Sequence, residues 1–177
     1  MTKTTTEITV DETLYNAFWN KLQQFKFDLY YYDEHFKRCI TVSRTIKFSI
    51  IAATTLVTGA WMSWNSITGI CVACAILIWL LQAASAVSEL LPFEKRKLEL
   101  RELSTELEPL YIDMETDWRK VQALEVTNED IRILMQSYAS KQVNINKHYF
   151  KDDALPQIEK LRTNADNLTE EYFKHFV

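Results

Sequence analysis

The sequence predicts an all-α protein: a transmembrane helical hairpin, continued by a long antiparallel helical shaft in the cytosol, with two further helices completing a four-helix cytosolic bundle. Three observations predict it. The 177 residues include only two glycines, Gly59 and Gly69, and three prolines, Pro92, Pro109 and Pro156. Average usage of about 7% would give roughly a dozen glycines, and so few breakers favour long helices. No charged residue occurs from Phe48 to Ser88, a run of 41 positions in a chain that is 25% charged. On both sides of that run, apolar residues recur at steps of three and four, the helical period. No strand pattern and no internal repeat competes with this reading.

The first helix is expected from about residue 10. Thr9-Val10-Asp11-Glu12 has a capping-box pattern, with Thr9 as the cap and Glu12 reaching back. Leu14, Phe18, Leu22, Phe25, Leu29, Tyr32, Phe36 and Ile40 then step by 4, 4, 3, 4, 3, 4 and 4. No glycine or proline intervenes before the uncharged run, so one helix is expected to pass straight into the first span.

A spanning helix needs about 20 apolar residues, so 41 suit two spans rather than one. The natural break is Ser63-Trp64-Asn65-Ser66. The spans are read as Ile46–Met62 and Ile67–Ser88. At 1.5 Å per residue they measure about 25 and 33 Å, against a hydrocarbon core of about 30 Å. The competing reading is a buried hairpin in a soluble core, but soluble helices seldom run so far without charge. A signal peptide is excluded by the position of the run and the lack of a cleavage pattern.

Lys37, Arg38, Arg44 and Lys47 precede the run, and Lys95, Arg96, Lys97 and Arg101 follow it, while the turn is uncharged. Positive flanks belong on the cytoplasmic side, so both termini are expected in the cytoplasm, and the basic groups suit anionic headgroups. Trp61 and Trp64 fall where an outer interfacial belt places anchors. Thr55, Gly59 and Ser63 repeat at four on one face, as do Gly69 and Ala73, and small residues at that spacing let helices approach closely in lipid. Gln82, Ser85 and Ser88 form a polar patch near the inner end of the second span. Such groups are costly in a bilayer unless they face protein or water. Packing within the hairpin and packing between protomers both account for these faces, and the chain is expected to be a homo-oligomer.

Beyond the second span Pro92 should kink or break the helix. Leu100, Leu103, Leu107, Leu110, Met114, Trp118 and Val121 form the second stripe, with Pro109 predicting a kink or a boundary. Pairing Lys47 with Glu89 across the hairpin places Trp19 opposite position 117, so Trp19 and Trp118 should meet. Thr127-Asn128-Glu129-Asp130 reads as a helix start, the polar stretch Asn144 to Asp153 as containing the next turn, and Leu155-Pro156 as the opening of the last helix. The domain organisation is 1–45, an N-terminal cytosolic helix; 46–91, the two-span hairpin; and 92–177, the C-terminal cytosolic helical region.

Little chemistry is implied. Phosphate-binding loops, dinucleotide fingerprints and nucleophile elbows need glycines this chain lacks. Cys71 and Cys74 read as small packing residues within the second span, and Cys39 as a lone juxtamembrane cysteine. His35, His148 and His175 read as scattered among solvated charges and make no metal set. No catalytic residues, cofactor or metal are assigned. Residues 1–47 carry 7 basic and 6 acidic groups, and residues 89–177 carry 13 and 18, so generic nucleic-acid binding is not expected.

Tyr30-Tyr31-Tyr32, Arg38, Arg44, Ile46, Ala60-Trp61-x-x-Trp64 and Pro92-Phe93 mark most of the chain, with Trp118-x-x-Val121, Thr127-x-x-Asp130-Ile131, His148-Tyr149-Phe150 and Ala165 to Phe173 further on. On these residues the chain resembles the SLATT superfamily of bacterial two-transmembrane effector domains. The resemblance implies an inner-membrane effector of antiphage defence that is released or assembled by a cognate sensor. Its opened membrane would arrest or kill the host cell, as in abortive infection. It implies membrane lipid as one partner and a cytosolic sensor or inhibitor from the same operon, of a nucleotide-linked kind, as another. The alternative is a passive membrane anchor whose bundle docks a soluble protein.

Overall fold

The computed structural model describes residues 10–64, 72–73, 75–80, 82–83, 92–150, 155–174 and 176, without the side chains of 56, 57, 59–64 and 92–94. Every regular element among the described residues is a helix: α1 (Glu12–Trp64), α2 (Pro92–Gln122), α3 (Asn128–Tyr149) and α4 (Glu159–Phe173). Residues 72–73, 75–80 and 82–83 are also helical. The chain divides into two compact units, one of Met1–His35 with Glu99–Val177 and one of Phe36–Leu98.

The first unit is the helical bundle. The start of α1 is held by Asp11, where the Thr13 N–H donates to Asp11 Oδ1 at 2.8 Å and the Tyr15 N–H to the Asp11 carbonyl at 2.9 Å. Asp11 therefore takes the capping role read from the sequence onto Thr9, which lies outside the described residues. Both are good cap residues, and the spacing Thr9–Glu12 alone does not choose between them.

Phe18, Leu22, Phe25 and Tyr32 of α1 are buried, and all seven residues of the α2 stripe are buried with them. Complete burial of a leucine or phenylalanine contributes about 1.5–3 kcal/mol, so these two stripes dominate the bundle. Pro109 sits inside α2 without ending it. Its missing N–H costs the helix one bond, but Leu107 and Leu110 on either side are seated in the core.

The α2–α3 connection is tight. The Leu124 N–H donates to the Val121 carbonyl at 3.1 Å and the Glu125 N–H to the Lys120 carbonyl at 3.0 Å, while Leu124 has φ 56°. This is a Schellman closure with leucine at the left-handed position. Helix α3 begins with a capping box, the Asp130 N–H donating to the Thr127 hydroxyl and the Thr127 N–H to the Asp130 carboxylate. The helix runs to Tyr149. Within the polar stretch expected to contain the next turn, Asn144 to Tyr149 continue the helix and Phe150 caps it, while 151–153 lie outside the described residues. Helix α4 starts at Glu159, after an extended Ile158 that supplies no side-chain cap, rather than at Leu155-Pro156.

In the second unit, α1 continues helically through Ile46–Met62, the first predicted span. Among the described residues, however, no helix is long and apolar enough to cross a membrane. The 17-residue first segment is shorter than the ~20 residues a span needs and carries Ser49, Thr54, Thr55 and Thr58. Much of the second predicted span lies outside the described residues.

Candidate functional site

The second unit gathers the basic and apolar residues singled out by sequence. On α1, Lys37, Arg38, Arg44 and Lys47 are exposed; near the start of α2, Lys95 is exposed and Arg96 and Lys97 are half-buried. Phe48, Ile51, Val72, Ile76, Leu77, Trp79 and Leu80 are all exposed. Thr55 is exposed on α1, and Ala73 and Gln82 are exposed on the helical residues that follow. Gly59, Trp61, Ser63 and Trp64 lie within α1, where only the backbone is described. Gly69, Ser85 and Ser88, with Cys71 and Cys74, lie outside the described residues. Four hydroxyls on α1 are seen to bond to their own helix: Thr41 donates to the Lys37 carbonyl at 2.9 Å, Thr54 to that of Ile50 at 2.8 Å, Thr55 to that of Ile51 at 2.9 Å, and Thr58 to that of Thr54 at 2.8 Å. Cys39 is buried, and burial pushes its thiol up, against the opposing pull of Arg96, Arg38 and Lys97. A buried, protonated thiol is a poor nucleophile, which suits packing.

The bundle brings Trp19 and Trp118 together, with ring centroids 5.2 Å apart. Phe18 and Tyr15 also meet Trp118, and Phe173 meets Trp19 edge-on at 4.9 Å. His35, read from the sequence as solvated, is instead 4% exposed and edge-on to Tyr31 at 4.6 Å. Its position three residues after Tyr32 and four after Tyr31 puts it on the core side of α1.

Polar contacts that sequence reasoning missed fix the other helices. Gln142 of α3 donates to Asp28 at 2.8 Å, and Gln24 donates to the other carboxylate oxygen at 2.9 Å. Burial raises the Asp28 pKa, and those two donors offset part of the rise. Three tyrosine hydroxyls donate to carboxylates of α2: Tyr149 to Glu106 at 2.8 Å, Tyr138 to Asp117 at 2.7 Å and Tyr172 to Glu115 at 2.7 Å. The Lys26 ammonium lies 4.0 Å from the Tyr172 ring centroid, 4.4 Å from that of Tyr111 and 5.1 Å from that of Tyr30. Desolvation lowers the Lys26 pKa, with Glu115 and Glu108 pulling it back up. Gln24–Asp28 and Lys26–Tyr30 lie four apart on α1, a spacing at which helical side chains are neighbours, but the contacts between helices join residues up to 146 positions apart.

A cleft of about 470 Å³ separates α1 from α4, lined by Asn20, Gln23, Phe27, Arg162, Asp166 and Thr169 among others. The Thr169 hydroxyl is committed to the Ala165 carbonyl at 2.7 Å. The lining thus offers recognition groups but no nucleophile held by a base, which nucleophilic catalysis requires. Among the described residues, no group of three or more His, Cys, Asp or Glu side chains could hold a metal ion. Comparison with protein-family models, with curated proteins and with solved structures gives no match.

Proposed function

We propose that this chain is a two-span membrane effector. Its helical hairpin, drawn from residues 46–91, inserts in the bacterial inner membrane with both termini in the cytoplasm. Its bundle receives a signal from a cytosolic partner, and copies of the chain assemble through the small-residue faces to perturb the bilayer. The observation that carries the reading is the uncharged run Phe48–Ser88 between basic flanks, in which Phe48, Ile51, Val72, Ile76, Leu77, Trp79 and Leu80 are exposed. Apolar side chains so numerous in one stretch call for a covering phase, and lipid is the one that basic flanks adjoin. The antiphage role and the nucleotide-linked sensor rest on the resemblance to SLATT effectors.

The second reading, an anchor whose bundle docks a soluble protein, is favoured by the polar cleft between α1 and α4. One experiment separates the two. The chain is expressed in bacteria with and without its genomic neighbours, and membrane potential and growth are followed. Depolarisation with growth arrest is expected. A chain that never depolarises the cell under either condition is an anchor.

A further inference from the structure

The cleft between α1 and α4 is walled by charged and amide groups that the bundle itself does not use. Helix α4 contributes Arg162, Asp166 and Glu170, each four residues from the next, and α1 contributes Asn20, Gln23 and Phe27. The two helices run antiparallel, since Trp19 meets Phe173 at 4.9 Å and Asn164 donates to Glu34 at 3.1 Å. Asn20 therefore lies toward Glu170, and Phe27 toward Arg162. On α2, charges at three or four residues pair with each other, Arg119 with Glu115 and Lys120 with Asp117. Arg162 and Asp166 have opposite charge at the same spacing, yet they form no ion pair among the described residues, and neither does Glu170. All three are exposed, so their charged ends stand free at the cleft wall.

We propose that this cleft binds an extended peptide segment of a soluble partner, one that carries an acidic and two basic side chains at alternate positions. Charge complementarity fixes the order. The acidic residue faces Arg162, and the two basic residues face Asp166 and Glu170. Spacing supports an extended form. Residues four apart on a helix are separated by about 6 Å along its axis. Alternate residues of an extended chain are separated by about 6.6–6.8 Å and point the same way. Over the two steps from Arg162 to Glu170 the mismatch is about 1.5 Å, which long charged side chains absorb. Arginine is the better basic residue, because its guanidinium can meet a carboxylate through two parallel hydrogen bonds.

The α1 wall favours an extended segment over a helical one. Gln24 is taken by Asp28, but the carboxamides of Asn20 and Gln23 make no side-chain hydrogen bond among the described residues. Each carboxamide both donates and accepts. An extended backbone offers unpaired N–H and C=O groups to such a wall, whereas a helix has already paired its own. Grooves that receive helices are apolar, and this lining is mainly polar. The volume of about 470 Å³ lies within the range of ligand sites, about 300–1,000 Å³. The inference deepens the reading that the bundle receives a cytosolic protein, and it rests on that reading. It does not depend on membrane insertion, because every residue it uses belongs to the bundle.

The test uses the full-length chain in non-ionic detergent, with end-blocked fluorescent peptides read by anisotropy. The probes are Asp-Ala-Arg-Ala-Arg and its reverse, which differ in the direction they lie along α4. The control is Arg-Ala-Asp-Ala-Arg, of equal composition, which sets like charges against Arg162 and Asp166. One probe is expected to bind about tenfold tighter than the control at low salt, with the difference shrinking as salt rises. Arg162→Glu should weaken that probe about tenfold, and replacing the probe's acidic residue by lysine should restore binding to the variant. Equal binding of both probes and the control overturns the charge register. Binding that ignores Arg162→Glu overturns the cleft as the site. Tighter binding of a helix-locked peptide with the same charges four apart overturns the extended form. The comparison of probe with control needs no variant, so it stands even where a variant does not fold. Depolarisation is a separate readout: a chain that binds a probe and never depolarises cells loses the effector reading alone, and one that depolarises cells and binds neither probe loses this site alone.

Discussion

The indoles of Trp19 and Trp118 meet with ring centroids 5.2 Å apart and planes inclined at 32°. Trp118 is 1% exposed, and its Nε1–H finds no acceptor among the described residues. Trp118→Ala should cost about 3–5 kcal/mol of bundle stability, the usual range for emptying a buried aromatic site. Trp118→Phe should cost far less, because it also removes a buried donor whose lack of a partner costs about 1–3 kcal/mol. Thermal unfolding followed by near-ultraviolet circular dichroism would rank the two, and equal losses would remove the unpartnered donor from the account.

The left-handed Leu124 closes α2 with φ 56°. A side chain bearing Cβ costs about 1–2 kcal/mol there, and glycine does not. Since Leu124 is 51% exposed, its side chain has little packing to lose. Leu124→Gly is expected to stabilise the bundle by about 0.5–1 kcal/mol, while Leu124→Ala should bring no gain. A melting temperature lowered by the glycine variant would sink this argument.

Thr127→Ala removes one half of the α3 capping box and should cost about 1 kcal/mol. The hydrogen bonds from Thr127 lower the Asp130 pKa. A depressed carboxylate contributes above its unfolded pKa and loses that contribution as pH falls through the folded value. Melting curves from pH 5 to pH 2 should therefore fall less steeply for Thr127→Ala than for the wild type.

The tyrosines bound to α2 predict the opposite limb. Hydrogen bonding to Glu106 pushes Tyr149 up to about 12. Tyr138 and Tyr172 are raised first by burial and then by their carboxylate partners. A raised tyrosine contributes fully below the unfolded value of about 10 and loses that contribution as pH climbs through the folded one. The contribution of Tyr149 should disappear between pH 10 and about 12. Tyr149→Phe is expected to flatten the alkaline unfolding curve in that window, and a curve superimposable on the wild type would exclude the Tyr149–Glu106 contact.

Gly59→Leu or Gly69→Leu tests the close approach expected of the hairpin and its copies. If small residues set that approach, either change should weaken cross-linked oligomers in membranes and reduce depolarisation. Unchanged assembly and unchanged toxicity in both variants would rule out packing at these positions.

What could be read from sequence follows the range of the forces. The seven-residue stripe from Leu100 to Val121 is wholly buried because burial repeats with the helix period, and periodicity is written in the order of residues. Thr127 to Asp130 could be read because a cap and its partner lie within one turn. Pro109 left two outcomes open, since the lost backbone bond is local and the packing of Leu107 and Leu110 that outweighs it is not. His35 and Lys26 are harder to read, for different reasons. The first has charged neighbours in Asp33 and Glu34 that suggest solvent, although its place three residues after Tyr32 sets it on the buried side of α1. The second is an ordinary lysine until Tyr111 and Tyr172 arrive from other helices.

The back-bonded threonines of α1 bear on how hydropathy is counted. A transfer scale charges each hydroxyl for the water it leaves behind, since an unpaired hydroxyl is expensive in an apolar medium. Thr54, Thr55 and Thr58 bring their acceptor with them, in the carbonyls of Ile50, Ile51 and Thr54. Once the helix has formed, these side chains present mainly their methyl groups, and the stretch is greasier as a folded object than as a string of letters.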